Sequence, residues 1–233
     1  MKKTFSSSQI ATSGFANTGL SEDQAQSTWL SLRKAIEEIQ SGNASKLRFE
    51  ELYRNSYTLA LHKHGELLYN GVKDCVTSKL RETSKIVSTA ANDRLVEVLV
   101  EQWENHKLIM SMIRDILMYM DKTYCKSNKK VVVYEMGVML FRDTVVRHAG
   151  VNTRLKTILL EDVLRERQGE VIDRVLMKNC LAMLVEVNVR NTDVYQKDFE
   201  TDFLEATRNF YKQESQDFFA QNTCPDYLRK VSA

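Results

Sequence analysis

Few residues of this chain are spaced for chemistry. His62 and His64 flank Lys63, and a pair of imidazoles invites a metal ion. Two positions on a helix lie roughly 200° apart around its axis, so these two rings cannot share an ion there. They read instead as solvated or capping histidines at a helix end. The cysteines Cys75, Cys125, Cys180 and Cys224 have no CxxC or paired spacing of the kind that closes a zinc site. They read as reduced thiols of a cytoplasmic and nuclear chain. There is no HExxH, no Gly-rich phosphate loop and no GxSxG. Glu37-Glu38, Glu50-Glu51 and Arg165-Glu166-Arg167 look like solvated helix faces. His106 falls on an apolar stripe, where a hydrogen-bonded core histidine is favoured over a general base. The residues therefore single out no catalytic, cofactor-binding or metal-binding constellation.

Composition sets the frame for whatever else the chain does. Its 233 residues are 43% hydrophobic, with eight Gly and one Pro. That is too little turn material for a many-stranded β protein, so an all-α fold is expected. Thirty-three basic against 31 acidic residues leave a net charge of +2, which gives no field for gathering nucleic acid or an acidic membrane surface. Partners should be proteins. No apolar run of 18 residues occurs to span a bilayer, and the polar Thr4 to Gln9 after Met1-Lys2-Lys3 does not fit a secretory signal.

The elements follow from periodicity. Residues 1–20 are rich in Ser, Thr, Gly and Asn and read as a flexible tail. Ser21 and Gln24 then form a capping-box pattern, with Leu20 and Ala25 placed for a hydrophobic staple. Ala25, Trp29, Leu32, Ile36 and Ile39 make one stripe of an amphipathic helix. A second helix is predicted from about Lys46 to Lys63, a third from Glu66 toward Ala90, and a long fourth from about Asp93 to Tyr124, roughly 45 Å in length. Shorter periodic segments follow to Phe210. Helices of this kind joined by short polar loops pack as helical bundles stacked in an α-solenoid. A boundary near Gly150 divides a first bundle, 21–149, from part of a second, 150–233.

Two helices carry more apolar surface than one core requires. On the second, Leu52 and Leu59 define one direction while Phe49, Tyr53 and Tyr57 define another. On the fourth, Ile109, Met112, Ile116 and Tyr119 form a second stripe beside the main one, with Asp115 and Lys122 near its end. Such faces either lie between two neighbours of the same chain or meet a partner, and tyrosine suits a wet interface.

The run FEELYRNSYTLALHKHGELLYNGV at 49–72 resembles the cullin family, in the branch that takes BTB-domain adaptors. MIRDILMYMDKTY at 112–124, FRDTVVR at 141–147, RERQGEVIDR at 165–174 and ESQDFFAQN at 214–222 are similar to the same family in the same order. The resemblance runs from about Ser27 to Ala233. It implies an N-terminal cullin segment: a first cullin repeat of five helices and the start of a second, in a non-catalytic scaffold of a cullin-RING ubiquitin ligase. It further implies that BTB-domain substrate adaptors bind the second and fifth helices. A RING-box protein would bind only a C-terminal region beyond these residues. Carried over by position, Leu47, Phe49, Glu50, Tyr53 and Tyr57 match contact positions on the second helix, and Tyr119 and Lys122 match those on the fifth. Phe49 is the expected anchor. Arg48 stands where a small serine is expected, and Lys122 where an arginine is, which replaces a planar fork by a point charge. The tail lacks the family branch's proline-containing apolar segment, and Phe15 is its one comparable anchor. Related cullins that take Skp1-like or elongin-type adaptors, and an unrelated all-α enzyme, are the alternatives.

Overall fold

Ser21 opens the first helix as its side chain predicts. In a computed structural model of the chain, which describes residues 19–189, 191–225, 227 and 229, the Ser21 hydroxyl accepts from Gln24 N–H while the Gln24 side chain accepts from Ser21 N–H. Both orphan donors are satisfied, and Ala25 is fully buried beside the half-buried Leu20. The helices are α1 (Glu22–Gln40), α2 (Phe49–Leu61), α3 (Gly65–Thr89), α4 (Asn92–Met120) and α5 (Val133–Phe141) in the first unit. The second has α6 (Ala149–Arg167), α7 (Arg174–Glu186), the single turn α8 (Asp193–Tyr195) and α9 (Thr201–Gln221). No strand occurs among the described residues. The 1–18 part of the predicted tail, Phe15 included, lies outside them.

The second helix begins later than its sequence pattern suggests. Ala44–Lys46 form a 3₁₀ turn, Leu47 is extended at φ −87°, ψ 142°, and helical geometry starts at Phe49. The fourth helix covers its predicted span and continues through a π turn at Asp121–Cys125. It is the central element, packed against α1, α2, α3, α5, α6 and α7. That position corrects the reading of its second stripe: Ile109 and Ile116 are 6% and 1% exposed and belong to the core. A helix surrounded on most sides needs apolar residues on most sides, so the surplus that suggested a partner is met largely by the chain's own helices.

Gly150 lies in the first turn of α6. His148 caps α6 through Nδ1, which accepts from Gly150 N–H at 3.2 Å, and the hydrophobic core runs unbroken from Ala25 to Phe199. Polar links tie the two units. Arg154 donates to the carbonyls of Ser88 and Ala90 and to Asn92 Oδ1. Glu186 on α7 accepts from Trp103 Nε1 and Lys107 Nζ on α4, each at 3.3 Å.

Four helix ends close with the same pair of crossed backbone bonds. At Gly42 and Gly169 the backbone takes φ 82° and 90°, the left-handed conformation that glycine adopts freely. At the ends of α2 and of the π-extended α4, lysine fills that position: Lys63 has φ 68° and Lys129 φ 52°. His64 N–H reaches Leu59 O at 2.9 Å, and Lys130 N–H reaches Cys125 O at 2.9 Å, as the motif demands. A side chain in this conformation costs about 1 kcal/mol. Lys63→Gly and Lys129→Gly should therefore each raise stability, by up to about 1 kcal/mol less the entropy that glycine adds to the unfolded chain. Denaturant melts check this, and a loss of stability in both variants would contradict it.

Candidate functional site

The residues singled out by sequence converge where α2 and α4 run side by side in the same direction. Ser56, fully buried on α2, donates its hydroxyl to the Ile116 carbonyl of α4 at 2.6 Å. This buried bond between a small residue and a backbone oxygen holds the two helices close. One residue further along α2 and three along α4, the rings of Tyr57 and Tyr119 meet at 4.4 Å with a 50° tilt. Tyr57 is 37% exposed and Tyr119 half-buried. Leu52 and Leu59 on the opposite side of α2 are buried, so α2 packs by one stripe and shows the other.

The remaining candidates surround this pair unequally. Phe49, the first residue of α2, is 37% exposed, and Tyr53 is half-buried one turn on. Glu50 is exposed, in the first turn where a negative charge complements the helix dipole, and accepts from Arg54 Nη2 at 3.0 Å. Leu47 precedes α2 and packs half-buried against the core. Tyr119 and Lys122 are not on a fifth helix, as the resemblance implies. Tyr119 lies in the last turn of α4 and the exposed Lys122 in the π turn that continues it, because no break in helical backbone separates Asn92 from Lys126. Phe15 lies outside the described residues. The sequence reading stopped one step short on α2: Leu61, 51% exposed, continues Phe49, Tyr53 and Tyr57 at the same spacing of four.

Nothing in this patch is arranged for catalysis. The side chains are aromatic, aliphatic and singly charged, and among the described residues no group of His, Cys, Asp and Glu could hold a metal ion. Nor is any described helix long and apolar enough to cross a membrane. His106 is the core histidine that its stripe suggests. It is 7% exposed, stacks on Phe141 at 5.2 Å and bonds the Gly137 carbonyl through Nε2 at 2.9 Å. Burial lowers its pKa to about 4, against the smaller opposing effect of that carbonyl. The unfolded chain holds this proton up to about pH 6.5 while the folded chain refuses it until near pH 4, so the stabilisation is complete above pH 6.5 and lost as pH falls. Stability should drop by about 2 kcal/mol between pH 7 and pH 5. Asp121, whose carboxyl burial pushes above the ordinary range, acts in the opposite sense, and His106→Gln isolates the imidazole by removing its share of the slope. Urea melts at both pH values test this, and an unchanged slope in His106→Gln would contradict it.

Comparison with known proteins gives the chain a family. A family model described as the cullin alpha solenoid domain matches residues 29–233. The chain is 48% identical over 206 residues to Cullin-3A of Arabidopsis thaliana, covering 88% of the chain and 28% of that protein. It is 44% identical over 209 residues to Cullin-3 of Dictyostelium discoideum, covering 90% and 27%. With Cullin-3 of Caenorhabditis elegans it shares 37% identity over 215 residues, covering 91% and 28%. The chain thus spans less than a third of the length of these relatives.

Proposed function

The chain belongs to the cullin family, and from that premise we propose that it is the adaptor-binding arm of a cullin-RING E3 ubiquitin ligase, a non-catalytic scaffold that holds BTB-domain substrate adaptors. The observation that carries this reading is the partly exposed aromatic row of α2, Phe49, Tyr53 and Tyr57, joined at 4.4 Å to Tyr119 of α4. Aromatic anchors on rigid helices, with a hydroxyl on each of the three tyrosines to meet water or a partner, are what a protein interface uses as its energetic centre. The choice of a BTB protein over a Skp1-like or elongin-type adaptor rests on the motif at 49–72 and is supported by the relatives named Cullin-3.

The mechanism is geometric. The adaptor docks on α2 and α4, and substrate is thereby fixed relative to these helices. The continuous core and the links from Arg154 and Glu186 carry that orientation from the first unit into the second. A RING-box protein and the ubiquitin-charged enzyme would be held by other parts of a full-length cullin. The cytoplasm and nucleus are the compartments this role requires. Titration of purified adaptors of the three classes tests the reading: a BTB-domain adaptor should bind, and the other two should not.

A further inference from the structure

Because α2 and α4 run in the same direction, their C-terminal ends lie at one end of the first unit. The close approach of Gly65, the first residue of α3, to Tyr124 in the π turn, where an added Cβ would fall 2.5 Å from the ring, brings the turn after α2 beside the continuation of α4. This end is lysine-rich. Lys122 lies in the π turn three residues past Tyr119 and Lys126 directly after that turn, and Lys129 and Lys130 follow in the connection to α5. Lys130 Nζ lies 5.9 Å from the Tyr69 ring, and Lys63 closes α2 beside them. All five lysines are exposed, and among the described residues none of them stands in an ion pair. The nearby carboxylates offset them only in part. Asp121, which accepts from Val133 N–H at 3.0 Å, Glu135 close to it in the first turn of α5, and Glu66 beside Tyr124 are three acidic residues against five lysines.

Helix dipoles alone do not account for this cluster. Lys63 and Lys129 sit where the left-handed backbone favours glycine, which the ends of α1 and α6 do use. Strain retained at two helix ends, both carrying the same charge, points to a use for the charge. The cluster also follows the tyrosine patch directly along the same continuous helical backbone, since Lys122 comes three residues after Tyr119 and Lys126 directly after the π turn. A protein with both apolar and acidic surface would cover both at once. A polyanion such as nucleic acid or an acidic membrane would use the lysines and leave the aromatic patch open.

We propose that the lysine-bearing end of α2 and α4 is a second contact for the adaptor, which receives an acidic segment of the BTB-domain protein flanking the part that covers Tyr57 and Tyr119. The inference rests on the adaptor reading and deepens it. The exposed lysines act mainly on encounter: they attract the acidic partner over several ångströms of water and speed association, while the aromatic anchors govern dissociation.

Stopped-flow association of a BTB-domain adaptor with the unmodified chain and with Lys126→Glu/Lys130→Glu tests this, at ionic strengths of about 50 mM and about 300 mM. At low ionic strength the double variant should associate about tenfold more slowly with a dissociation rate nearly unchanged, and the difference should close at high ionic strength. Lys126→Gln/Lys130→Gln, with its melting temperature checked, should show a smaller slowing in the same direction and guards against a folding defect. Equal association rates at low ionic strength, with normal adaptor binding, overturn this inference alone. Lysine-dependent binding to phosphatidylserine vesicles or duplex DNA, with adaptor kinetics untouched, overturns it in favour of those ligands. An unmodified chain that binds no adaptor overturns the adaptor reading and this inference together.

Discussion

Phe49→Ala should weaken binding to a BTB-domain adaptor by at least about 2 kcal/mol, roughly thirtyfold, with little change in melting temperature. The two halves of that expectation have separate physical grounds. Phe49 is the first residue of α2, 37% exposed and outside the core cluster, so its ring can enter a partner pocket, and its loss leaves that core intact. The residues that hold α2 in place, Leu52, Ser56 and Leu59, lie on the other side and are untouched. Alanine is also a good helix former, so the backbone does not suffer. Calorimetry on binding and on unfolding measures both quantities. A large loss of stability with unchanged affinity would return Phe49 to the core.

Trp103→Ala should destabilise the chain by about 3–5 kcal/mol without touching the tyrosine patch. The Trp103 side chain is 2% exposed and packs on Phe141 with ring centroids 5.0 Å apart. Its Nε1 donates to Glu186 of α7, and Lys107 lies 5.4 Å over the ring while bonding the same carboxylate. One side chain thus joins α4 and α5 of the first unit to α7 of the second. Removing it leaves a cavity at the joint and one donor fewer for Glu186, so hydrogen exchange in Arg174–Glu186 should quicken more than in α2. Denaturant melts and exchange rates read these effects, and a loss under about 1 kcal/mol would mean that the joint is held elsewhere.

What the sequence made legible was local. The Ser21–Gln24 capping box, the span of the fourth helix, the buried Leu52 and Leu59 and the core role of His106 each depend on neighbours within a few turns, and each stands in the structure as the pattern implies. The family resemblance of the five motifs is likewise confirmed by the match over 29–233. What was not legible depended on position in the whole. Ile109 and Ile116 looked like surplus surface because periodicity reports that a face is apolar, and a helix of the same chain satisfies it as well as a partner does. The links from Arg154 to the α3–α4 turn and from Glu186 to Trp103 join residues 62 to 83 positions apart, and no local pattern encodes them. Lys63 and Lys129 gave no sign of a left-handed backbone, since glycine is the usual marker for it and lysine is not. Leu61 could have been found by carrying the spacing of four one step past Tyr57.

The adaptor class is the central claim, and one titration tests it most directly: a purified BTB-domain adaptor against the unmodified chain by calorimetry, beside Skp1-like and elongin-type adaptors at the same concentrations. The account predicts saturable one-to-one binding of the BTB-domain protein and no heat from the other two. No binding of BTB-domain proteins, or saturable binding of a Skp1-like or elongin-type adaptor in their place, would contradict it.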